Sequence, residues 1–229
     1  MFLKCFCPTK QATNIEGDQF LSKYLYSNSH AIVTVERAGN DMLKLTQTAY
    51  NANQSISLEE PWIMQVKYLL PNNRNGSFIM DKVSQTVKLT EQLSPNEWFK
   101  LNADSTGYYI VNYQPSDWNL LIEQLKQKPT ALSIKDRTSI LFDANQLSDK
   151  ALLDYETLFN LLSYLKNEND YLPWSVASSS ISSIESKLTS TSSFSIVQYK
   201  AFIRDLISYV YDSKVDFAAD PSTMTYEQM

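Results

Sequence analysis

The sequence predicts two domains of different class, a β-sandwich followed by an all-α, solenoid-like helical layer. Two observations carry this. Residues 31–113 hold seven short alternating or β-branched runs separated by turn residues. From Pro115 onward the apolar spacing changes from two to that of a helix. Strands recurring every 8–12 residues or so mark a sandwich. Apolar residues at i, i+3, i+4 and i+7 mark amphipathic helices.

The β half divides as follows. Ala31-Ile-Val-Thr-Val-Glu36 and Met42-Leu-Lys-Leu-Thr-Gln47 flank Arg37-Ala-Gly-Asn-Asp41 and read as a hairpin. Trp62–Leu69 is a third strand, followed by the turn-rich Pro71-Asn-Asn-Arg-Asn-Gly76. Ser77–Met80, Gln85–Leu89, Trp98–Asn102 and Tyr108–Tyr113 complete the set.

The α half shows five stripes. Trp118, Leu121, Ile122 and Leu125 form the first. Ser133-Ile-Lys-Asp136 is a capping-box-like start, with Ile140, Leu141, Ala144 and Leu147 behind it. Leu158, Leu161, Leu162 and Leu165 form a third stripe. Pro173 suits the first turn of a fourth helix, with Trp174, Ala177, Ile181, Ile184 and Leu188 as its stripe. Ile196, Tyr199, Ile203, Leu206 and Val210 make the fifth. Residues 175–195 contain 11 serines, which reads as a Ser-rich exposed helix face running into a loop. Short connections between helices imply antiparallel neighbours in a bundle or solenoid. The expected boundaries are a loose tail at 1–30, the sandwich at 31–114, helices at 115–213 and a flexible tail at 214–229. The last helical layer is expected to leave an apolar face uncovered, because a terminal repeat normally carries a polar cap.

Composition removes several function classes. The chain has 229 residues and one histidine, His30. No H-E-x-x-H site, three-histidine site or two-cysteine, two-histidine site can be built from it. Its four glycines, Gly17, Gly39, Gly76 and Gly107, are too scattered for a dinucleotide fingerprint or a P-loop. Net charge is −5 and the pI is about 5.0, which argues against nucleic acid as a partner. No run of apolar residues is long enough to span a membrane. The N-terminus turns polar too soon for a signal-peptide core. Cys5 and Cys7 are one residue apart, a poor geometry for a disulfide, and read as free thiols. Asn53-Gln-Ser55 and Asn75-Gly-Ser77 are glycosylation sequons in turn-like stretches.

Candidate chemistry is sparse. His30 precedes the first strand, and neither Asp18 nor Glu36 stands at a motif spacing from it. A Ser-His-Asp triad on His30 lacks a G-x-S-x-G elbow. Glu59 and Glu60 read as a solvated turn. Glu168 and Asp170 lie in an acidic interhelix loop, without the EF-hand ligand series or its glycine for calcium. Arg137 and Asp143 on one helix read as inter-helix polar contacts. Gly107-Tyr-Tyr-Ile-Val-Asn-Tyr113 reads as a strand alternating core and surface tyrosines, since no basic cluster accompanies it for base stacking.

Trp98-Phe-Lys-Leu-Asn102-Ala-Asp-Ser-Thr-Gly107-Tyr-Tyr-Ile-Val-Asn-Tyr113 resembles the W-x-K-x-N-x-x-x-x-G-Y-Y-R-V-N-Y signature of the aminopeptidase N family of zinc metallopeptidases. The 31–47 hairpin and Trp62–Tyr68 look like the start of that family's β-sandwich domain. Asp136-Arg137-Thr-Ser-Ile-Leu-Phe-Asp143 and Tyr164-Leu-Lys-Asn-Glu168-Asn-Asp170-Tyr-Leu-Pro173-Trp174 are similar to segments of its C-terminal helical domain. The resemblance spans about residues 31–212. It implies zinc-dependent removal of N-terminal residues from peptides by the full-length protein. It also implies an extracellular or cell-surface setting.

The departures from the family pattern set the functional expectation. H-E-x-x-H, the later glutamate ligand and the G-x-M-E-N segment are all absent from the sequence. Asp18–Leu25 faintly resembles a helix near the end of the catalytic domain. Ile110 replaces the arginine of the tyrosine-rich strand. We therefore expect a non-catalytic fragment or isoform, with no catalytic, cofactor-binding or metal-binding residues of its own and zinc belonging to the full-length family. The alternative is an interaction or decoy module that meets full-length aminopeptidases through its helical face. The expected partner is the missing catalytic domain or a full-length homologue.

Overall fold

The computed structural model describes residues 17–51, 58–188 and 193–214. Cys5, Cys7, Asn53 and the C-terminal segment from residue 215 lie outside them. The chain divides into two compact units, Met1–Leu121 and Ile122–Met229.

The described part of the first unit begins with α1, Gly17–Tyr26, a helix over the Asp18–Leu25 stretch that resembled one, within the 1–30 read as a loose tail or a remnant of a catalytic domain's end. Two side chains of α1 engage the segment ahead of the third strand. The Tyr24 hydroxyl donates to the carbonyl of Ile63 at 3.1 Å, and burial pushes its pKa up to about 12. Lys23 donates to the carbonyl of Glu60 at 2.6 Å and sits 4.8 Å above the Trp62 ring.

Seven strands follow: β1 Ala31–Arg37, β2 Met42–Ala49, β3 Met64–Leu69, β4 Asn75–Met80, β5 Ser84–Lys88, β6 Lys100–Leu101 and β7 Tyr109–Tyr113. They form a four-stranded sheet in the order β5-β2-β1-β7 and a three-stranded sheet in the order β4-β3-β6. The hairpin expected over residues 31–47 is present, with Val33 opposite Gln47 and Val35 opposite Leu45. β7 lies parallel to β1, with Val33 beside Val111.

Register explains the core. Ala31, Val33 and Val35 share a sheet face with Leu43, Leu45 and Gln47, and with Tyr109, Val111 and Tyr113. All nine are buried. Met64, Val66 and Tyr68 alternate inward from β3 in the same way. Gln47 is the polar member of this set. Its amide accepts from the Trp62 N–H and donates to the Trp62 carbonyl, both at 2.9 Å. The buried carboxamide is thereby bonded on both atoms and links β2 to the backbone ahead of β3.

β7 departs from the expected alternation. Tyr108 is exposed, but Tyr109, Ile110, Val111 and Tyr113 are all buried. The reason is the parallel pairing with β1. Ile110 stands beside Ile32 on the face opposite the sandwich core, and both are covered. Trp98 and Phe99, expected inside the sixth strand, precede a strand of two residues.

The second unit is helical. It takes the C-terminal part of α2, Pro115–Gln127, then α3 Ile134–Asp149, α4 Tyr155–Leu162, α5 Tyr171–Leu188 and α6 Ser193–Lys214. Three of the stripes read from sequence are buried: Leu125 on α2, Ile140, Leu141, Ala144 and Leu147 on α3, and Leu158, Leu161 and Leu162 on α4. Of the fourth and fifth, among the described residues, only Ala177, Ile184, Tyr199 and Leu206 are buried, while Trp174, Ile181, Leu188, Ile196 and Ile203 are half-buried. Leu165 continues the third stripe, but in a 3-10 turn over Ser163–Asn167. Ser133 caps α3 as expected, accepting from the Asp136 N–H at 3.2 Å while its hydroxyl donates to the Asp136 carboxylate at 2.7 Å. Asp154 caps α4 through the Thr157 N–H at 2.6 Å. On α5 most serines are exposed, but Ser180 is buried and returns its hydroxyl to the carbonyl of Val176. α3 packs against α4 and α5, and α5 against α6.

Candidate functional site

The residues that carry chemical potential fall into three places. The first is the run from Trp98 to Trp118. Lys100 is fully buried, and its ammonium donates to the carbonyls of Leu101 at 2.5 Å and Asn102 at 3.4 Å. Asn102 is left-handed, φ 56°, and so are Asp104 and Ser105. Asn tolerates this region better than most residues. Its carboxamide spans the loop, accepting from the Gly107 N–H at 2.8 Å and donating to the Gly107 carbonyl at 3.0 Å. Gly107 has no room for a side chain, since a Cβ there would lie 2.2 Å from the Tyr109 ring. The Tyr113 hydroxyl accepts the Leu101 N–H at 3.0 Å, tying β7 to β6 of the other sheet. The Tyr113 ring meets Phe99 and Trp118 edge-on, at 5.5 and 5.1 Å. The polar atoms of Lys100, Asn102 and the Tyr113 hydroxyl named above all bond to backbone. These bonds build a tight turn and a sheet-to-sheet tie.

The second place is the loop after α4. Arg137 and Glu168 are 3 % and 1 % exposed at the side chain and form a bidentate pair, Nε to Oε2 at 2.7 Å and Nη2 to Oε1 at 3.1 Å. Arg137 also donates to Asp170 at 2.5 Å and to the carbonyl of Leu132 at 2.7 Å. Glu168 accepts further bonds from the Tyr164 hydroxyl and from the N–H groups of Asn169 and Asp170. Burial alone pushes the Glu168 carboxyl up. The Arg137 hydrogen bond and charge and the backbone donors outweigh it, holding the carboxyl below the usual carboxylate range. Burial and the neighbouring Glu168 push the Tyr164 hydroxyl up. The guanidinium thus stands where a cation would bind, so Glu168 and Asp170 do not fit a calcium ion. Arg137 makes the inter-element polar contact expected of it. Asp143 is buried further along α3.

The third place is His30. Its ring stacks on Tyr50 at 4.6 Å and lies 5.4 Å from Tyr108. Glu36 sits apart, facing Lys44 and Gln114, each at 3.5 Å. Asp18 lies in α1, and Glu59 and Glu60 are exposed. Among the described residues no group of three His, Cys, Asp or Glu could hold a metal ion.

An apolar cavity of about 420 Å³ lies among Phe159, Leu188, Gln198, Tyr199 and Phe202 in the helical unit. The Tyr199 hydroxyl is turned onto the carbonyl of Ile181 at 2.6 Å, so the cavity offers shape without reactive groups. No helix among the described residues is long and apolar enough to cross a membrane.

Residues 98–228, more than half of the chain, match the ERAP1-like C-terminal domain. The chain is 30 % identical to glutamyl aminopeptidase of Rattus norvegicus over 178 residues, which is 76 % of this chain and 19 % of that protein. It belongs to the aminopeptidase N-like family. Aminopeptidase N of Plutella xylostella is 24 % identical over 75 % of the chain, and aminopeptidase 2 of Candida albicans is 28 % identical over 83 %. The chain spans about a fifth of the length of these relatives. What it shares with the aminopeptidases is a part the size of a C-terminal domain, and both polar motifs described above lie within the matched stretch.

The sequence missed the Asn102–Gly107 bridge as an interaction, although both residues stood in the quoted motif. It also missed the partnership of Arg137 with Glu168, because the two are 31 residues apart and neither marks its partner locally.

Proposed function

We propose that this chain is a non-catalytic part of an aminopeptidase N-like zinc peptidase, supplying the β-sandwich and the first helical layers. The whole protein removes N-terminal residues from peptides, with zinc polarising the scissile carbonyl and activating water. In this reading the 229-residue chain does not hydrolyse peptides by itself. The observation that carries it is the single histidine, packed against Tyr50 and Tyr108 and outside any ligand motif. The two polar clusters support it, because Lys100, Asn102, Tyr113, Arg137 and Glu168 bond to the fold's own backbone and charges. The setting follows the family, on the extracellular side of the cell. The test is hydrolysis of a panel of aminoacyl-coumarins by the purified chain with added zinc. No turnover above buffer is expected, and chelator-sensitive turnover that co-purifies with the folded chain would overturn the reading.

A second reading has one observation in its favour. Val197 and Ile207 on α6 are exposed apolar side chains, 64 % and 42 % accessible. That face suits association with the catalytic part or a full-length homologue. Co-expression with a full-length relative and pull-down checks it. Equal recovery of wild type and a Val197→Lys/Ile207→Lys variant refutes a role for this face.

A further inference from the structure

We propose that Asn75 is an acceptor for an N-linked glycan, which stands on the open face of the three-stranded sheet. The sequon is Asn75-Gly76-Ser77, with a middle residue other than proline. The fold places it where a glycan can remain. Asn75 opens β4, and β4 is an edge strand. Asn75 and Ser77 are both exposed, and the pleat puts them on one face of the strand. Gly76 lies between them on the other face, where a Cβ would come 2.4 Å from the Tyr68 hydroxyl oxygen. The two side chains the sequon needs therefore point outward together. Leu69 and Lys67 stand opposite them on β3, and none of these four is buried.

The acceptor atom is compatible with its present bond. Nδ2 of Asn75 donates to the carbonyl of Asn73 at 2.9 Å. A carboxamide nitrogen carries two hydrogens. Glycosylation replaces one and leaves the other for that bond. The co-reactant is an oligosaccharide carried on a lipid diphosphate. Nδ2 forms a bond to C1 of the terminal sugar while the bond from C1 to the diphosphate oxygen breaks. The lipid diphosphate leaves with the electron pair, the amide releases one proton, and nothing is oxidised or reduced.

The placement gives the glycan a physical consequence. An edge strand exposes unpaired N–H and C=O groups that template pairing with another chain. A bulky hydrated group at the first residue of β4 obstructs that approach.

The experiment uses the full chain, secreted from a eukaryotic host behind a cleavable signal. The amidase that removes N-glycans is applied in oxygen-18 water, and peptides are read by mass spectrometry. The expected result is an oxygen-18 aspartate at position 75. A gel shift on deglycosylation should also lose one glycan's worth in Asn75→Gln and in Ser77→Ala, but not in Ser77→Thr. Asparagine at 75, or aspartate with ordinary oxygen from spontaneous deamidation at Asn75-Gly76, overturns the proposal. So does an unchanged shift in both disabling variants. Asn53→Gln is the control, and a shift lost wholly with that variant counts against Asn75.

Discussion

Arg137→Ala tests the structural reading of the Glu168 loop. The substitution removes the guanidinium donors to Glu168, to Asp170 and to the Leu132 carbonyl. It leaves a carboxylate that is 1 % exposed facing a void. Removing one member of a buried pair costs about 3–5 kcal/mol, because the remaining charge stays desolvated. The Tyr164 hydroxyl and the N–H groups of Asn169 and Asp170 still serve Glu168, which favours the lower end. With a urea dependence of about 2 kcal/mol per molar, the midpoint should fall by roughly 1.5–2 M. Far-UV circular dichroism follows the helical unit, and emission from Trp174, whose indole donates to the Glu168 carbonyl at 3.4 Å, reports on the loop. A second variant separates charge from packing. Arg137→Met with Glu168→Leu replaces the pair by apolar groups, which is often near neutral. Here the N–H groups of Asn169 and Asp170 lose their acceptor, and because Asn169 is exposed and Asp170 half-buried, water takes up much of the about 1–3 kcal/mol that each would cost if fully buried. The double variant should therefore recover most, though not all, of the loss. A loss below about 1 kcal/mol for Arg137→Ala would place the pair with ordinary surface ion pairs and refute the reasoning.

The same carboxylate sets a pH dependence. The folded protein holds Glu168 below its unfolded value, so its contribution is present above the unfolded pKa and lost as pH falls through the folded one. Urea midpoints between pH 7 and pH 3, values chosen to bracket the usual glutamate pKa of about 4.3, should drop more steeply for wild type than for Glu168→Gln. Gly107→Ala should destabilise the first unit by about 1–3 kcal/mol or more, since the new methyl meets the Tyr109 ring, and a thermal melt that does not move would contradict this. Asp154→Ala should cost about 1 kcal/mol by removing the α4 cap, read as a small midpoint shift, with Asp154→Ser recovering most of it.

The sequence exposed periodicity and hid partnership. The seven strands and five helical stripes were legible because alternation and helical spacing are local signals. Boundaries at residues 31, 42 and 113 coincide with the expected ones. The short β6 was not legible, because Trp98 and Phe99 carry strand-forming side chains but spend them on packing. Nor was the double burial of β7, which depends on pairing with β1 across 78 residues. Glu168 and Asp170 read only as an acidic interhelix loop because only their own loop was in view. The guanidinium that meets them comes from another helix.

Ile110 shows how such non-local pairing bears on function. Its neighbour across the parallel ladder is Ile32, and the two are 2 % and 3 % exposed. An arginine at 110 would put a guanidinium beside an isoleucine in a covered patch, at the cost of desolvating an unpaired charge. The apolar residue is consistent with its surroundings in this chain. The other motif positions keep their work: Lys100, Asn102, Gly107 and Tyr113 each bond to or make room for the chain's own loop and strands. A motif whose polar atoms are spent on folding predicts a definite pattern of damage. Substitutions in it should lower stability in the chain by itself, where no peptide hydrolysis is expected to be lost. That is the opposite of what a catalytic signature would do, and thermal melts of Asn102→Ala and Lys100→Met measure it directly. Each should melt well below wild type, and unchanged melting in both would return the motif to the search for a site.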